Sequence, residues 1–398
     1  MTGNRGILRS VNDTIADSYD RVVYDPQGLP ELDPENVLGL AAIYGVSPRQ
    51  AAIDVLDLGC GSGAQLERAA AATTGRLLGI DLSPTACELA TERLSVAGDR
   101  AEIQRADFLD LDAESLGQFD VIYHVGVAYV IPPEVRRHAL ALIGACLRPG
   151  GAAVVSYYTG TIPLLMAGLH QTLRASTDDN LSTGEQIERA RAQLRQIECW
   201  LSRYEGDHVA MRTALERVTR HPDNVFYHEM LNQEFEALST AALDTEMSRA
   251  GVRFLNWTFP GPFSELTSPA DRAQVADAIS YVGGCYRYGV FAKCDGAQRL
   301  SARSGGLLWE TALTRVESDD GQPTFDDGST CLTIVNPVTE IALDVLSQGP
   351  RRFADLRTEI EQSLRGRPEL GTVDDALNRN LLGLWQEGLA RARWVPVT

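Results

Sequence analysis

The run Val55-Leu56-Asp57-Leu58-Gly59-Cys60-Gly61-Ser62-Gly63 carries a hydrophobic strand straight into a turn of alternating glycines. A second hydrophobic strand, Leu77 to Ile80, ends on Asp81. Glycines permit the tight turn and let a ligand lie against bare backbone. A carboxylate at the end of the next strand can accept hydrogen bonds from both hydroxyls of a ribose. Together, Gly59, Gly61, Gly63 and Asp81 point to a nucleoside-containing cofactor. A dinucleotide turn has its third glycine one position later, where this chain has Ala64. The turn ends too early to cradle a pyrophosphate, so it suits a ligand without phosphate. Asp57 either fixes the loop or meets an amino group of the ligand. Asp107 either accepts from an adenine amino group, with Phe108 or Leu82 against the ring, or is a plain turn residue.

These residues need a parallel sheet to position them, because ligands sit outside the carboxyl ends of parallel strands. The hydrophobic pattern predicts strands over 53–58, 77–80, 102–106, 120–125 and 152–158. Between them it predicts helices over 64–72, 83–96 and 132–147. Ser83 reads as a helix cap with Pro84 in the first turn. Such alternation means α/β, a Rossmann-like doubly wound parallel sheet. Residues 1–50 read as an N-terminal helical cover, with a helix over Glu35 to Ile43. Residues 51–160 form the cofactor-binding core. Residues 161–298 read as a helical substrate or regulatory region with completing strands, Val252 to Thr258 and Tyr288 to Cys294. Within it Glu229 to Ala250 reads as one helical stretch closed by Gly251, and Pro260-Gly261-Pro262 ends the strand before it. Ser301 to Gly306 reads as a linker. Three helices and a terminal strand within 307–398 are compatible with a C-terminal winged-helix-like module.

Composition narrows the partners. Lys and Arg number 36 against 54 Asp and Glu, a formal net charge of −18. Such a surface repels phosphate backbones and argues against nonspecific nucleic-acid binding, so no nucleic-acid partner is expected. The 44% hydrophobic and 23% charged content is that of a globular protein, and 398 residues exceed one ordinary core. No stretch approaches the length of a membrane span, so no membrane partner is expected. Met1-Thr2-Gly3-Asn4-Arg5 leads into polar sequence without a signal-like core, so the expected location is cytoplasmic. The seven cysteines are scattered without a CxxC pair, and the six histidines show no HExxH spacing. Both point to a reducing compartment and to no metal site.

Five motifs occur in order: Val55 to Gly63, Gly79-Ile80-Asp81-Leu82-Ser83, Ala106-Asp107-Phe108, Phe119-Asp120-Val121-Ile122 and Leu147-Arg148-Pro149-Gly150-Gly151. Over residues 50–158 the chain thereby resembles the class I S-adenosylmethionine-dependent methyltransferases. The resemblance implies S-adenosyl-L-methionine as cofactor, its amino-acid part against the glycine turn, its ribose on Asp81 and its adenine near Asp107. A narrower resemblance rests on His124-Val125-Gly126-Val127, Tyr129-Val130, Pro132 to Arg136, Val155-Ser156-Tyr157-Tyr158 and His228-Glu229-Met230-Leu231-Asn232. These are similar to bacterial methyltransferases carrying a methyltransferase regulatory domain, a group that includes rickettsial protein lysine methyltransferases.

A sulfonium already makes its methyl group electrophilic, so such a protein must align a nucleophile, exclude water and leave the nucleophile unprotonated. An amine needs little help, whereas a hydroxyl or carbon acid needs a base. Catalytic candidates are His124 and Tyr129 after the fourth strand, Tyr157 at the end of the fifth, and His228. His124 is also a candidate cofactor contact. Tyr157 and Tyr158 point to opposite faces, so one of them meets the ligand. His228 and Asn232 share a helix face. Each candidate has a packing role as its alternative. The expected reaction is methyl transfer to an amine or hydroxyl of a small metabolite or peptide. The alternatives are protein lysine methylation and a non-catalytic cofactor-binding interaction protein, with a nicotinamide oxidoreductase below both. A homodimer is compatible with the sequence.

Overall fold

The computed structural model describes residues 2–204, 206–258, 268–294, 300–318, 321–364 and 373–397. The expected break at Pro260-Gly261-Pro262 lies outside them. Seven strands form the central sheet: β1 (Val55–Leu58), β2 (Leu77–Asp81), β3 (Ala101–Arg105), β4 (Phe119–His124), β5 (Leu147–Tyr158), β6 (Val252–Trp257) and β7 (Tyr286–Lys293). Their spatial order is β3-β2-β1-β4-β5-β7-β6. The pairs among β1 to β5 are parallel. Every residue of β1 and β4 is buried, as expected of strands covered on both faces. β7 departs from the all-parallel expectation. It inserts between β5 and β6 and runs antiparallel to both.

Helices flank the sheet: α1 (Thr2–Arg21), α2 (Pro34–Ile43), α3 (Ala64–Ala72), α4 (Pro84–Arg93), α5 (Ala113–Leu116) and α6 (Pro133–Cys146). The Ser83 side chain caps α4 by accepting from the Ala86 amide at 3.0 Å, with Pro84 opening the helix. The middle region supplies α7 (Thr161–Ala175), α8 (Thr183–Leu201), α9 (Val209–Arg220), α10 (Asp223–Met230), α11 (Thr240–Ser248) and α12 (Pro269–Gly283). Ser182 and Glu185 form a capping box that starts α8.

The stretch 229–250 is two helices rather than one. Residues 231–239 leave the helix because their backbone is drawn to the strand ends. The Leu238 amide donates to the Tyr158 carbonyl at 2.7 Å and the Glu236 amide to the Tyr129 carbonyl at 2.9 Å. Asn232 turns the chain there, its Oδ1 accepting from the Gln233 amide at 2.8 Å. This segment therefore runs across the carboxyl ends of β4 and β5.

The C-terminal part contains β8 (Leu307–Glu310), β9 (Thr314–Val316), β10 (Thr324–Asp326), β11 (Cys331–Thr333), α13 (Pro337–Ser347), β12 (Arg351–Arg352), α14 (Phe353–Ser363), α15 (Val373–Gln386) and β13 (Arg391–Trp394). The three helices and last strand match the sequence pattern, but two small sheets, β11-β10-β9 and β12-β8-β13, add to them. Nor is 301–306 a free linker. The Ser301 amide donates to the Ile43 carbonyl at 2.9 Å, and Ala302 is fully buried beneath Trp309. The reason is α2, which buries eight of its ten residues. One side of it faces the sheet and the other faces β13. Arg393 donates to Glu35 at 3.2 Å, and the Trp394 indole N–H to the Arg49 carbonyl at 3.3 Å.

Gly39 is where α2 and β13 come closest. A Cβ added there would lie 2.3 Å from the Ala392 carbonyl oxygen. Replacing Gly39 by Ala should therefore destabilise the whole chain by roughly 1–3 kcal/mol, the usual cost of overpacking. Thermal unfolding monitored from the sheet side would show the loss. An unchanged melting temperature would mean that the C-terminal part is an independent appendage.

Candidate active site

Behind β1 the chain makes its glycine turn with φ of +88° at Gly59, +52° at Gly61 and +78° at Gly63. These values lie in the left-handed region, where a side chain is strained. Asp81 locks the turn to the end of β2. Its carboxylate accepts from the Gly61 amide at 2.9 Å and from the Ser83 amide at 3.0 Å. Burial nevertheless pushes its pKa up, and the nearby Asp20 adds to this. Asp57 is buried below the turn, and burial, then the charge of Asp81, push its pKa up to about 7. It accepts no hydrogen bond among the described residues. Asp107 accepts from Asn12 Nδ2 at 3.0 and 3.1 Å and from the Leu109 amide at 2.9 Å.

Asp57, Gly59, Gly61, Asp81, Asp107 and Phe108 line one cavity of about 510 Å³, with Leu82 beside them. That size suits a cofactor-sized ligand. A Cβ on Gly61 would meet no atom within 4 Å, so the backbone there is bare toward the cavity. Residues 12–29 form a strap over the opening. Asp20 accepts from the Ser83 hydroxyl at 2.6 Å, and Asp25 from the Ser62 hydroxyl at 2.5 Å and from Arg93 at 3.0 Å. The Leu29 amide donates to Gln65 at 2.9 Å.

The far end of the cavity lies over other strands. Three strand spacings separate β2 from β5, about 14 Å. There Tyr129, Tyr158 and Tyr286 pack edge to face, with ring centroids 4.9 Å (129–158), 5.7 Å (129–286) and 4.7 Å (158–286) apart. The Tyr158 hydroxyl donates to both oxygens of Glu229 on α10, at 2.8 and 2.9 Å. Burial pushes the Glu229 pKa up to about 7. It also drives the phenols of Tyr129, Tyr158 and Tyr286 far above the ordinary range, so they stay protonated. Ser156 fixes Tyr286: its Oγ lies 2.7 Å from the Tyr286 hydroxyl and accepts from the Gly126 amide at 2.7 Å. Tyr19 and Tyr24 of the strap, Tyr288 of β7 and Arg217 of α9 complete this end.

Four expected site residues lie outside the cavity wall. Gly63 serves as the N-cap of α3, with Ala90 packed against it. His124 is fully buried, and its Nδ1 lies 2.8 Å from the Leu58 carbonyl. A carbonyl only accepts, so Nδ1 carries the proton and the ring ties β4 to β1. Burial holds its pKa down to about 4, so it is neutral near pH 7, and it does not line the cavity. Tyr157 points to the opposite face of β5, with its hydroxyl 3.0 Å from Thr240 Oγ1 and accepting from the Trp257 indole at 3.2 Å. His228 donates from Nε2 to the Val22 carbonyl at 2.7 Å and stacks under Tyr19 at 4.1 Å. It props the strap from outside the cavity lining. Of the catalytic candidates only Tyr129 faces the cavity. Tyr158, Tyr286, Glu229 and Arg217 were not among them. The parity of β5 narrowed the choice to Tyr157 or Tyr158, and an acid beside His228 was visible, but no local pattern marked Tyr286 or Arg217.

Comparison with known proteins agrees with this geometry. Residues 55–151 match a family model described as a methyltransferase domain. An uncharacterized protein of Rickettsia prowazekii, RP028, is 33% identical over 145 residues, which is 36% of this chain and 58% of that one. A ubiquinone biosynthesis O-methyltransferase of Aromatoleum aromaticum is 30% identical over 102 residues, 26% of this chain and 42% of that one. The chain thus spans 58% and 42% of the lengths of these two curated relatives. The solved structure of PKMT2 from Rickettsia typhi superposes with a TM-score of 0.72 at 20% identity, over 93% of this chain and 77% of that one. Its complex with AdoHcy gives 0.73 at 19% identity, over 94% and 78%. The chain therefore carries a methyltransferase domain and has the class I S-adenosylmethionine-dependent methyltransferase fold, with its cavity at the strand ends where that fold holds its cofactor.

Proposed function

We propose that this protein is an S-adenosylmethionine-dependent N-methyltransferase whose acceptor is a lysine side chain of a protein or peptide. The observation that carries the acceptor is Glu229, a buried carboxylate gripped by Tyr158 among aromatic faces at the end of the cavity away from Asp81. Tyrosine faces and a carboxylate attract an ammonium group. A carboxylate whose pKa lies near neutrality can also take a proton from it. Lysine carries its amine on a narrow, flexible four-carbon stem, which suits entry past the exposed strap residues Tyr24 and Gln27 to a buried acid. The architecture shared with PKMT2 reaches beyond the methyltransferase domain into the middle and C-terminal parts, which also favours a protein acceptor over a small metabolite.

The residues present suit the cofactor. S-Adenosylmethionine, when bound, supplies an electrophilic methyl group on a sulfonium. In our reading Asp81 takes the ribose hydroxyls with the lone pairs left free by Gly61 and Ser83. Asp57 faces the ammonium of the methionine part, Asp107 the adenine amino group, and Phe108 and Leu82 the ring. The strap excludes water. At the other end Tyr129, Tyr158 and Tyr286 orient the acceptor nitrogen, and Glu229 removes its proton so that the lone pair is free.

Replacing Asp81 by Ala should weaken AdoHcy binding by about 1.5–3 kcal/mol, roughly 10- to 100-fold, because hydrogen bonds to a charged acceptor are lost. Calorimetry measures this, and an unchanged affinity would remove Asp81 from the site. Replacing Glu229 by Gln should lower methyl transfer to lysine peptides on the order of 100-fold while leaving AdoHcy affinity nearly intact. Only the ionised carboxylate accepts a proton, and it is populated above its pKa. Transfer by the unaltered protein should therefore rise as pH increases through about 7. A rate indifferent to pH across that range would sink the role of Glu229.

A further inference from the structure

Behind Glu229 stands His221, which does not line the cavity. The turn between α9 and α10 is pinned by Arg191 of α8. Its Nη2 donates to the His221 carbonyl at 2.8 Å and to Asp223 at 2.6 Å, while its guanidinium lies 4.3 Å over the Phe226 ring. Pro222 follows His221, and the His221 amide donates to the Val218 carbonyl at 3.2 Å. The turn has little freedom, and it aims the imidazole inward. His221 Nδ1 lies 3.5 Å from Glu229 Oε2, with side chains only 13% and 11% exposed. That nitrogen is buried and has no hydrogen-bond partner among the described residues. An orphaned buried ring nitrogen costs stability unless something uses it. Here a shift of a few tenths of an ångström would bring it within hydrogen-bond range of the acid.

We propose that His221 is a positioning residue for methyl transfer, turning its neutral Nδ1–H onto Glu229 Oε2 so that Oε1 is left to the acceptor amine and the acid stays ionised. The inference rests on the reading of Glu229 as the proton acceptor. Burial, with the charges of Arg217 and Arg191, holds the His221 pKa down to about 4, so it is a neutral donor near pH 7. Other groups facing Glu229 are Tyr158 of β5, Cys285 just before β7, Tyr286 of β7, Tyr129 after β4, Arg217 of α9, and Tyr19 and Tyr24 of the strap. The tyrosines and the thiol are pushed upward and do not ionise near neutrality. Glu229 is thus the member of this set that titrates there. The acceptor ammonium gives one proton to Glu229. The freed nitrogen lone pair forms the N–C bond as the S–C bond breaks, and the electron pair of that bond stays on sulfur. The product is a methylammonium, and the proton leaves Glu229 to water once the site opens.

The test measures Glu229 directly. The infrared band of its protonated carboxyl group is identified by its loss in the Glu229→Gln protein and followed against pH without any acceptor. In the His221→Phe protein, which loses the donor, the midpoint should rise by about half a pH unit or more, since a hydrogen bond to the charged form is gone. In the His221→Gln protein, which keeps a donor, it should return most of the way. Transfer of labelled methyl to pooled lysine peptides should show its acid limb moving with the midpoint, with a 10-fold or greater loss of kcat for Phe and the KM for the methyl donor unchanged. A midpoint and limb that stay in place in both variants would overturn the inference. Absence of transfer to any lysine peptide by the unaltered protein would instead overturn the acceptor reading, and the infrared midpoints would still decide the role of His221.

Discussion

Three carboxylates, the buried Asp57 and Glu229 and the half-buried Asp81, line one cavity of a chain that is already strongly acidic. Burial is the largest influence on each and raises all three. A buried charge is costly unless something compensates it. Asp81 is compensated in part by two backbone amides and Glu229 by Tyr158, whereas Asp57 accepts no hydrogen bond among the described residues. The ligands proposed for this cavity are cations. A sulfonium with an ammonium at one end and a lysine ammonium at the other would each repay the desolvation. In the proposed reaction, loss of the sulfonium charge would weaken the hold on the spent cofactor.

The same constraint explains how the strap is fastened. It brings two more acids, Asp20 and Asp25, to the rim of the cavity. These do not approach unpaired, because Ser83 takes the first, while Ser62 and Arg93 take the second. Ser83 and Ser62 belong to the loops that follow β2 and β1. The strap is therefore tied to the backbone that shapes the cofactor end, while His228 supports its Tyr19 at the acceptor end. One segment therefore spans both ends of the cavity, the end at Asp81 and the end at Glu229.

The cofactor half was legible because its demands are local. A tight turn needs glycines within five residues, and an acid must end the next strand, so both survive as patterns in the chain. The acceptor half was not, because its residues come from distant segments. Glu229, Tyr158 and Arg217 meet only through tertiary packing. His124 and His228 have residue types suited to catalysis, yet each has given one ring nitrogen to a backbone carbonyl. That use depends on what lies opposite in space, and spacing along the chain does not reveal it. For β5 the alternation was readable, but the strand is buried on both faces, so hydrophobicity did not say which tyrosine met the cavity.

Tyr286 shows why strand direction matters. In the parallel strands the cavity meets the last residues, and a search along the sequence looks there. β7 runs the other way, so its first residue reaches the same edge. The register places Tyr286 directly opposite Tyr158 and Arg287 opposite Tyr157. Opposed residues share a face, so the pair Tyr158 and Tyr286 faces the cavity together, and Tyr157 and Arg287 turn away together. Inserting one antiparallel strand beside β5 thus doubles the aromatic wall without lengthening any loop. It also puts that wall on paired strands, where neighbouring hydrogen bonds hold the rings in place more firmly than a loop would.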